Sequence, residues 1–284
     1  MSLRSAVRTF RGQHQLNVGL IRRRRWWFLL SGIILALSVG GLVFQGLNLG
    51  IDFRGGTLLE YPNEAGLTVQ EVRQELSGLG RGDAVVQIVE QDGAEQISVR
   101  TEALGEDRNQ VLNALAEQAG IDASQINIQE IGARWGAQIS RRALQGLLIF
   151  LVVITIYISM RFEWKMAISA IVALLHDLLI TAGVYALVGR EVTPETVIAI
   201  LTILGYSLYD TVVIFDKIKE NTESLSLVAR ETYGGAVNIS LNQVLMRSVN
   251  TSITTLLPIG ALLFLGGETL KNFAFALFIG VGVG

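Results

Sequence analysis

Long apolar segments are the feature that most constrains how this chain can fold. The first runs from Trp26 to Ile51 without a charged residue, and four more follow it at Ala143–Met160, Met166–Val188, Thr196–Phe215 and Ser248–Gly267. About 20 apolar residues suffice to cross a bilayer, where only helices and closed barrels satisfy their backbone. A sixth segment, Asn272–Gly284, is too short to cross. We therefore expect an α-helical polytopic membrane protein with six transmembrane helices, the sixth incomplete.

Composition supports this class and excludes several others. Hydrophobic residues make up 50% of the 284 residues and charged residues only 17%, whereas soluble domains are about a quarter charged. The chain has no cysteine and two histidines. Disulfides, thiolate catalysis and cysteine metal sites are therefore excluded, and we expect neither a metal site nor an organic cofactor.

Residues 52–139 have the character of a folded domain inserted after the first span. Thr68 and Glu71 have the spacing of a capping box at a helix start, and Gly120 suits a helix end. A turn is predicted at Gln91-Asp92-Gly93 between two strands. The predicted strands are Thr57–Tyr61, Ala84–Glu90, Gln96–Arg100 and Gln125–Ile131, and the predicted helices are Thr68–Leu79 and Asp107–Ala119. The resulting β-α-β-β-α-β order predicts an α+β, ferredoxin-like insert.

Basic residues in short loops predict the orientation. Arg22–Arg25, Arg161 and Lys165, with the basic residues of a loop near 217–247, fall on one side, and Arg190 and Lys271 fall on the other. We therefore expect a cytoplasmic N-terminal segment, 1–25, a first transmembrane helix, 26–51, and an insert that faces outward. Residues 140–284 would then form transmembrane helices 2–6.

The charged residues inside the apolar segments are the candidates for chemistry. Asp210 lies six residues before Asp216 in the fourth span, and a carboxylate inside a span costs roughly 3 kcal/mol on insertion scales. Ser207 and Thr211 share its helical face. Arg247 opens the next span, and Asn250, Thr251 and Thr254 repeat its spacing. If the two faces meet, Arg247 and Asp210 form either a proton relay or a static ion pair with hydroxyl packing.

Two further places in the chain carry weaker signals. Asp177 lies in the middle of the third span. It is either a second member of the relay or a group that makes a buried hydrogen bond to a neighbouring helix, and the sequence favours neither interpretation. His176 beside it is interpreted as a packing or orienting residue. Asp52, Gly55 and Gly56 suit a tight turn between the first span and the insert, which we interpret as a shaped joint or hinge.

These segments resemble the SecF family, subunits of the bacterial SecDF complex in the RND-type transporter superfamily. The resemblance rests on GIDFRGGT at 50–57, LLHDLLIT at 174–181, GYSLYDTVVIFDKIKEN at 205–221 and RSVNTSITT at 247–255, in order and with matching topology. One departure is Tyr209, where the family often has Asn.

The resemblance implies a multi-pass protein of the bacterial inner membrane with a periplasmic insert. It would assist polypeptide export through the SecYEG translocon together with SecD, with membrane lipid around it and YajC as a further partner. Protons would be the coupling ion. The family's essential aspartate maps onto Asp210 and its proton-path arginine onto Arg247. The protein would be a translocase subunit without catalytic residues, and neither a nucleic-acid partner nor an enzymatic activity is expected.

Other classes remain open on the residues alone. No phosphate-binding G-x-x-x-x-G-K-[ST] loop is present, so energy would come from a partner or an ion gradient. An intramembrane aspartyl protease would need a second facing aspartate, and the G-x-G-D segment that would supply it is absent. A non-catalytic assembly subunit, whose insert only docks partners, and a small-molecule exporter are further alternatives.

Overall fold

The structure, a computed structural model, describes residues 18–91, 94–223 and 232–284. Its helices are α1 (Arg24–Phe44), α2 (Ile51–Arg54), α3 (Val69–Gly78), α4 (Arg108–Ala119), α5 (Ala133–Arg161), α6 (Trp164–Val188), α7 (Pro194–Glu223), α8 (Tyr233–Leu265) and α9 (Glu268–Val283). Its strands are β1 (Asn48–Leu49), β2 (Gly56–Pro62), β3 (Val85–Gln91), β4 (Ala94–Thr101), β5 (Asn127–Ile131) and β6 (Glu191–Val192).

Five of the described helices are long and apolar enough to cross a membrane: α1, α5, α6, α7 and α8. The short apolar helix α9 packs among α6, α7 and α8. Ala274 and Ala276 of α9 are fully buried, and Gly280 leaves room for Ile203 of α7. The chain is thus a polytopic helical membrane protein, as its apolar segments predict.

The insert between α1 and α5 has the predicted β-α-β-β-α-β order of elements. Its four strands form an antiparallel sheet in the order β3-β4-β2-β5. One face of the sheet packs on α3 and α4, where Leu59, Tyr61 and Ile97 are buried against Leu76 and Leu115. Its other face carries Glu60, Gln96 and Arg100 among other partly exposed side chains, because residues alternate between the two faces of a strand.

The structure confirms two local predictions in the insert. Thr68 caps α3, and the reciprocal capping box with Glu71 is present. Gly120 ends α4 in the left-handed conformation at φ 69°. Residues 92 and 93 of the predicted turn Gln91-Asp92-Gly93 lie outside the described part of the chain.

Several predicted boundaries were wrong. The first span ends at Phe44 rather than near residue 51, and a turn with Gly46 at φ 70° leads into β1. Strand β1 pairs in parallel with β6, so residues 48–49 belong to a small two-stranded sheet. The insert boundary at 139 falls inside α5, which starts at Ala133 and continues into the membrane segment without a break.

The predicted loop near 217–247 is largely helical. Helix α7 continues to Glu223 and α8 begins at Tyr233, while residues 224–231 lie outside the described part. Polar contacts hold the two extensions together, since Asn221 donates to Ser240 Oγ at 2.8 Å and to Gln243 Oε1 at 2.9 Å. Polarity therefore marks the end of the apolar segment but not the end of the helix.

Candidate functional site

Asp177 and Ser207 are the most buried of the predicted polar site residues. Asp177 on α6 is 4% exposed, and Ser207 of α7 donates a hydrogen bond of 2.6 Å to Asp177 Oδ2. His176 Nδ1 lies 3.1 Å from the other carboxylate oxygen, Oδ1. Both oxygens therefore have a polar partner, which a buried carboxyl group requires. The bond from Ser207 is the buried hydrogen bond to a neighbouring helix that was one of the two interpretations of Asp177.

His176 extends the contact to a third helix. Its Nε2 lies 2.6 Å from Ser31 Oγ of α1. Two helical turns further on, Gly183 of α6 closely approaches Ser38 of α1. The seven-residue spacing is the same on both helices, so α1 and α6 run parallel and in register. This register places Ser31 opposite His176 and completes a polar chain, Ser31–His176–Asp177–Ser207, across α1, α6 and α7.

Asp210 lies on the same helix as Ser207 but has a different environment. It is partly exposed, three residues or about 4.5 Å along the axis from Ser207. Among the described residues, its carboxylate makes no ion pair or hydrogen bond. The helix runs thirteen residues beyond it, to Glu223, rather than the predicted six. Thr211, which shares its face, donates back to the Ser207 carbonyl at 3.0 Å.

The predicted contact between Arg247 and Asp210 does not form in this structure. Arg247 Nη2 instead donates to the hydroxyl of Tyr209 at 2.7 Å, and its guanidinium lies 5.9 Å from the centroid of that ring. Arg247 also lies within α8 rather than at its start. The two helices do bring the groups to comparable depth, because Asp210 and Arg247 lie about 24 and 27 Å from the insert-side ends of α7 and α8.

The supporting polar residues of α8 mostly face away from the rest of the chain. Arg247 and Thr254 are exposed, and Asn250 and Thr251 are partly exposed. The threonine hydroxyls donate to their own helix, Thr251 to the Arg247 carbonyl at 2.7 Å and Thr254 to the Asn250 carbonyl at 2.9 Å. This pattern satisfies the hydroxyls locally. The guanidinium and the hydroxyl row are left on an outer surface at membrane depth.

The joint between α1 and the insert has the backbone geometry that its glycines suggest. Gly55 and Gly56 have φ values of 77° and 138°, which L side chains rarely adopt. Phe53 is buried among the membrane helices beside Tyr185. Asp52 lies in α2 and is partly buried, and its pKa is raised by that burial and secondarily by the charge of Glu195. The proposed hinge role of these residues stays a prediction.

Two side chains have larger roles than the sequence patterns predict. Tyr209 was noted only as a departure from a pattern, yet it is the hydrogen-bond partner of Arg247. Ser31 was hidden in an apolar span, and its i, i+7 spacing to Ser38 is the signal that could have found it. Among the described residues, no group of three or more histidine and carboxylate side chains could hold a metal ion.

The chain is similar to known protein-export membrane proteins. A family model described as protein export membrane protein SecD/SecF, C-terminal, matches residues 110–284, and another, described as the SecD/SecF GG motif, matches residues 40–62. The protein translocase subunit SecF of Streptomyces coelicolor is 41% identical over 278 residues, which cover 95% of this chain and 74% of the relative.

Two solved structures were also similar. A crystal structure of SecDF, a translocon-associated membrane protein from Thermus, matches 96% of this chain and 37% of its own, with a TM-score of 0.82 and 34% identity. SecDF in a super-membrane-facing form matches 95% of this chain and 36% of its own, with the same identity but a TM-score of 0.65. The chain thus spans little more than a third of these SecDF chains.

Proposed function

The chain belongs to the SecD/SecF family of protein export membrane proteins, and we propose that it acts with SecD to assist polypeptide export through the Sec translocon. In this proposal the proton gradient supplies the energy, and SecYEG, YajC and the emerging polypeptide are its other partners. The observation that carries the proposal is the placement of two carboxylates at membrane depth, Asp177 and Asp210, on either side of Ser207. Ionisable groups at that depth are costly and usually functional.

Ser207 links the two carboxylates through one helix. Its hydroxyl donates to Asp177 at 2.6 Å, and Asp210 lies about one turn further along α7. A hydroxyl both accepts and donates a proton, so Ser207 suits transfer between a buried carboxyl group and a partly exposed one. We assign the loading and release of protons to Asp210. Asp177 would be a second, more buried proton-binding group of the relay.

The contact of Arg247 with the residue next to Asp210 supports a role for Arg247 in controlling Asp210. Its guanidinium donates to Tyr209, the residue directly before Asp210. A carboxylate beside a guanidinium is held ionised. We propose that Arg247 contacts Tyr209 while Asp210 is protonated and moves to Asp210 when the proton leaves. Each charge that crosses 100 mV supplies about 2.3 kcal/mol for the accompanying helix movement.

The exposed polar surface of α7 and α8 supports association with SecD. Tyr209 is 50% exposed, and Arg247 and Thr254 beside it are exposed as well. Charged side chains at this depth normally face a protein partner or a water-filled cavity rather than lipid. The SecDF relatives have chains much longer than this one. The part of those chains that this chain does not match would correspond to such a partner.

The charges at the helix ends support one orientation in the membrane. Arg161 and Asp216 form an ion pair of 3.0 Å on the side opposite the insert, and Arg22–Arg25 lie on that side as well. We propose that this side is cytoplasmic, that the insert is a periplasmic domain of ferredoxin-like fold, and that the membrane is the bacterial inner membrane. The membrane part would hold six helices, with α9 belonging to the sixth. Movement would pass to the insert through the joint at Asp52, Gly55 and Gly56.

The decisive experiment uses proteoliposomes that contain this chain, SecD and the translocon with its ATPase. Asp210→Asn should abolish the export that depends on the proton gradient and leave the ATP-driven part unchanged. Asp216→Asn is the matched control, because Asp216 lies on the same helix but pairs with Arg161, and it should retain gradient-dependent export. Full gradient-dependent export by Asp210→Asn would show that the relay assignment is wrong.

A further inference from the structure

Four consecutive arginines, Arg22–Arg25, stand at the start of the first span. All four are exposed, and none of them makes an ion pair with another residue that the structure describes. Two carboxylates on the same side of the helices are already paired, since Asp216 contacts Arg161 at 3.0 Å and Glu220 contacts Lys217 at 2.8 Å. The arginines therefore carry a local positive charge that the described part of the chain does not neutralise.

The chain directly before these arginines is anchored on α8. The side-chain amide of Asn242 pairs with both main-chain groups of Val18: its Oδ1 accepts from the Val18 N–H at 2.8 Å, and its Nδ2 donates to the Val18 carbonyl at 3.0 Å. Asn238 Oδ1 accepts from the Ile21 N–H at 3.3 Å. A short 3₁₀ turn, Ile21–Arg23, then leads into α1. Because the backbone is fixed beside the arginines, less conformational entropy is lost when they bind a ligand.

An apolar groove continues from the arginines along the outer surface of α1. It has a volume of about 630 Å³ and extends about 15 Å along the helix. Its lining consists of Arg23, Trp26, Trp27, Leu29, Leu30 and Ile33. The residues of α1 that contact α6, Ser31 and Ser38, are not part of it. The groove is thus positively charged at the end of the span and apolar toward the middle of the span.

This order of properties matches a phospholipid. Tryptophan side chains at the ends of a span lie at the level of the lipid headgroups, and a guanidinium binds a phosphate through two parallel hydrogen bonds. The acyl chain would lie along Leu30 and Ile33. A nucleic acid or a soluble phosphate would leave this apolar part uncovered, and a partner helix would have to bring carboxylates to the level of the arginines. The unopposed charge favours a lipid with a negative headgroup over a zwitterionic one.

We propose that Arg22–Arg25 and the groove on α1 form a binding site for an anionic phospholipid in the leaflet opposite the insert. Arg23 binds the phosphate at the end of the groove, and the other three arginines add attraction to the negative headgroup. The bound lipid fixes the height and rotation of α1, and so keeps Ser31, about 12 Å further along the helix, in contact with His176. The site requires neither SecD nor proton movement.

Quenching of tryptophan fluorescence by brominated lipids measures occupancy of this site. The chain has four tryptophans, and Trp135→Phe with Trp164→Phe leaves Trp26 and Trp27 as the fluorophores. The two replaced side chains are exposed, so the substitutions remove little packing. The full chain is reconstituted in phosphatidylcholine vesicles with a small fraction of brominated phosphatidylglycerol or, separately, of brominated phosphatidylcholine. The relative affinity for phosphatidylglycerol should be at least about fivefold higher, because each arginine near an anionic headgroup contributes about that factor.

Arg23→Gln separates the site from a general effect of charge. It should lower the relative affinity for phosphatidylglycerol about fivefold. Arg161→Gln is the matched control, because it removes the same charge on the same side of the helices but lies outside the groove and already pairs with Asp216. It should keep the affinity of the parent.

Melting temperatures in detergent give a second measurement on the chain with all four tryptophans. A ligand that binds the folded state raises the melting temperature, so added phosphatidylglycerol should stabilise the parent more than added phosphatidylcholine does. Arg23→Gln should lose this difference, and Arg161→Gln should keep it.

Four results would overturn the lipid site. The first is equal quenching by the two brominated lipids, and the second is an equal loss of affinity in Arg23→Gln and Arg161→Gln. The third is displacement of the brominated lipid by soluble glycerol phosphate, which would assign the arginines to a ligand without acyl chains. The fourth is loss of quenching when SecD is added, which would assign the groove to a partner helix. None of these measurements depends on proton flux or export, so failure of the lipid site and failure of the relay are distinguishable.

Discussion

Two aspartates on neighbouring helices, Asp177 and Asp210, differ in their burial and in their hydrogen bonds. Asp177 is buried and bonded at both oxygens, whereas Asp210 is partly exposed and, among the described residues, makes no hydrogen bond or ion pair. The oxygens of Asp210 are therefore open to a proton donor or acceptor, whereas both oxygens of Asp177 already have a polar partner. The difference supports the separate roles proposed for the two aspartates.

Removing the Ser207 hydroxyl should destabilise the fold. Ser207→Ala takes a donor from the buried Asp177 carboxyl group, which costs about 1–3 kcal/mol. Thr211→Val is the control, because that hydroxyl bonds only to the backbone of its own helix, and its loss should cost much less. Thermal unfolding in detergent, followed by intrinsic fluorescence, measures both. Equal losses in the two variants would contradict the role of Ser207 as the partner of Asp177.

The hydroxyl of Tyr209 should matter for the rate of proton movement. Tyr209→Phe keeps the ring under Arg247 but removes the acceptor at 2.7 Å. A hydrogen bond to a charged group is worth about 1.5 kcal/mol or more, so Arg247 should shift toward Asp210 and slow proton uptake about tenfold. A pH-sensitive dye inside liposomes that hold this chain and SecD reports the flux. Tyr206→Phe, whose hydroxyl bonds to Ser252, should leave the flux near that of the parent.

At the scale of elements, close packing of α1 on α6 positions the polar chain. Gly183 and Ser38 bring the backbones together, and Ser31 meets His176 two turns away. Small residues permit this approach between membrane helices. The pairing also explains why the span with Asp177 is more buried than α5 or α8.

A methyl group at Gly183 should separate these helices. Gly183→Ala places a side chain against the backbone of Ser38, and overpacking of this kind costs about 1–3 kcal/mol. Gly205→Ala on α7 meets no atom within 4 Å, so it should be neutral or slightly stabilising. Melting temperatures of the two variants in detergent give the comparison. An unchanged melting temperature for Gly183→Ala would contradict the close contact of α1 and α6.

At the scale of the whole molecule, the exposed surfaces are of two kinds. Most exposed side chains of α5 are apolar, as at Leu148 and Val152, and suit lipid. The surface of α7 and α8 instead carries Arg247 and Thr254 beside Tyr209. Of these two surfaces, the second is the one that suits a protein partner, because hydrocarbon cannot solvate a guanidinium.

Binding of SecD should therefore cover one surface and leave the other unchanged. A spin label at Thr254→Cys should lose mobility when SecD is added to the full chain in nanodiscs, because partner helices would pack over it. A label at Val152→Cys, on the apolar surface of α5, is the control and should keep its mobility. Loss of mobility at Val152 alone would place the partner on α5 and contradict the proposed interface.

The sequence by itself determined the class of protein, its apolar spans, the order of elements in the insert and the candidate residues Asp177, Asp210 and Arg247. These rest on local properties: the length of apolar segments, alternation, a capping box and the cost of charge in a membrane. Tertiary structure decided which side chains meet. Ser207 turns to Asp177, Arg247 contacts Tyr209 rather than Asp210, and Arg100 bridges to Glu191 across 91 positions of sequence. Such contacts depend on helix register and on the placement of the insert, which the spacing of residues along one chain does not determine.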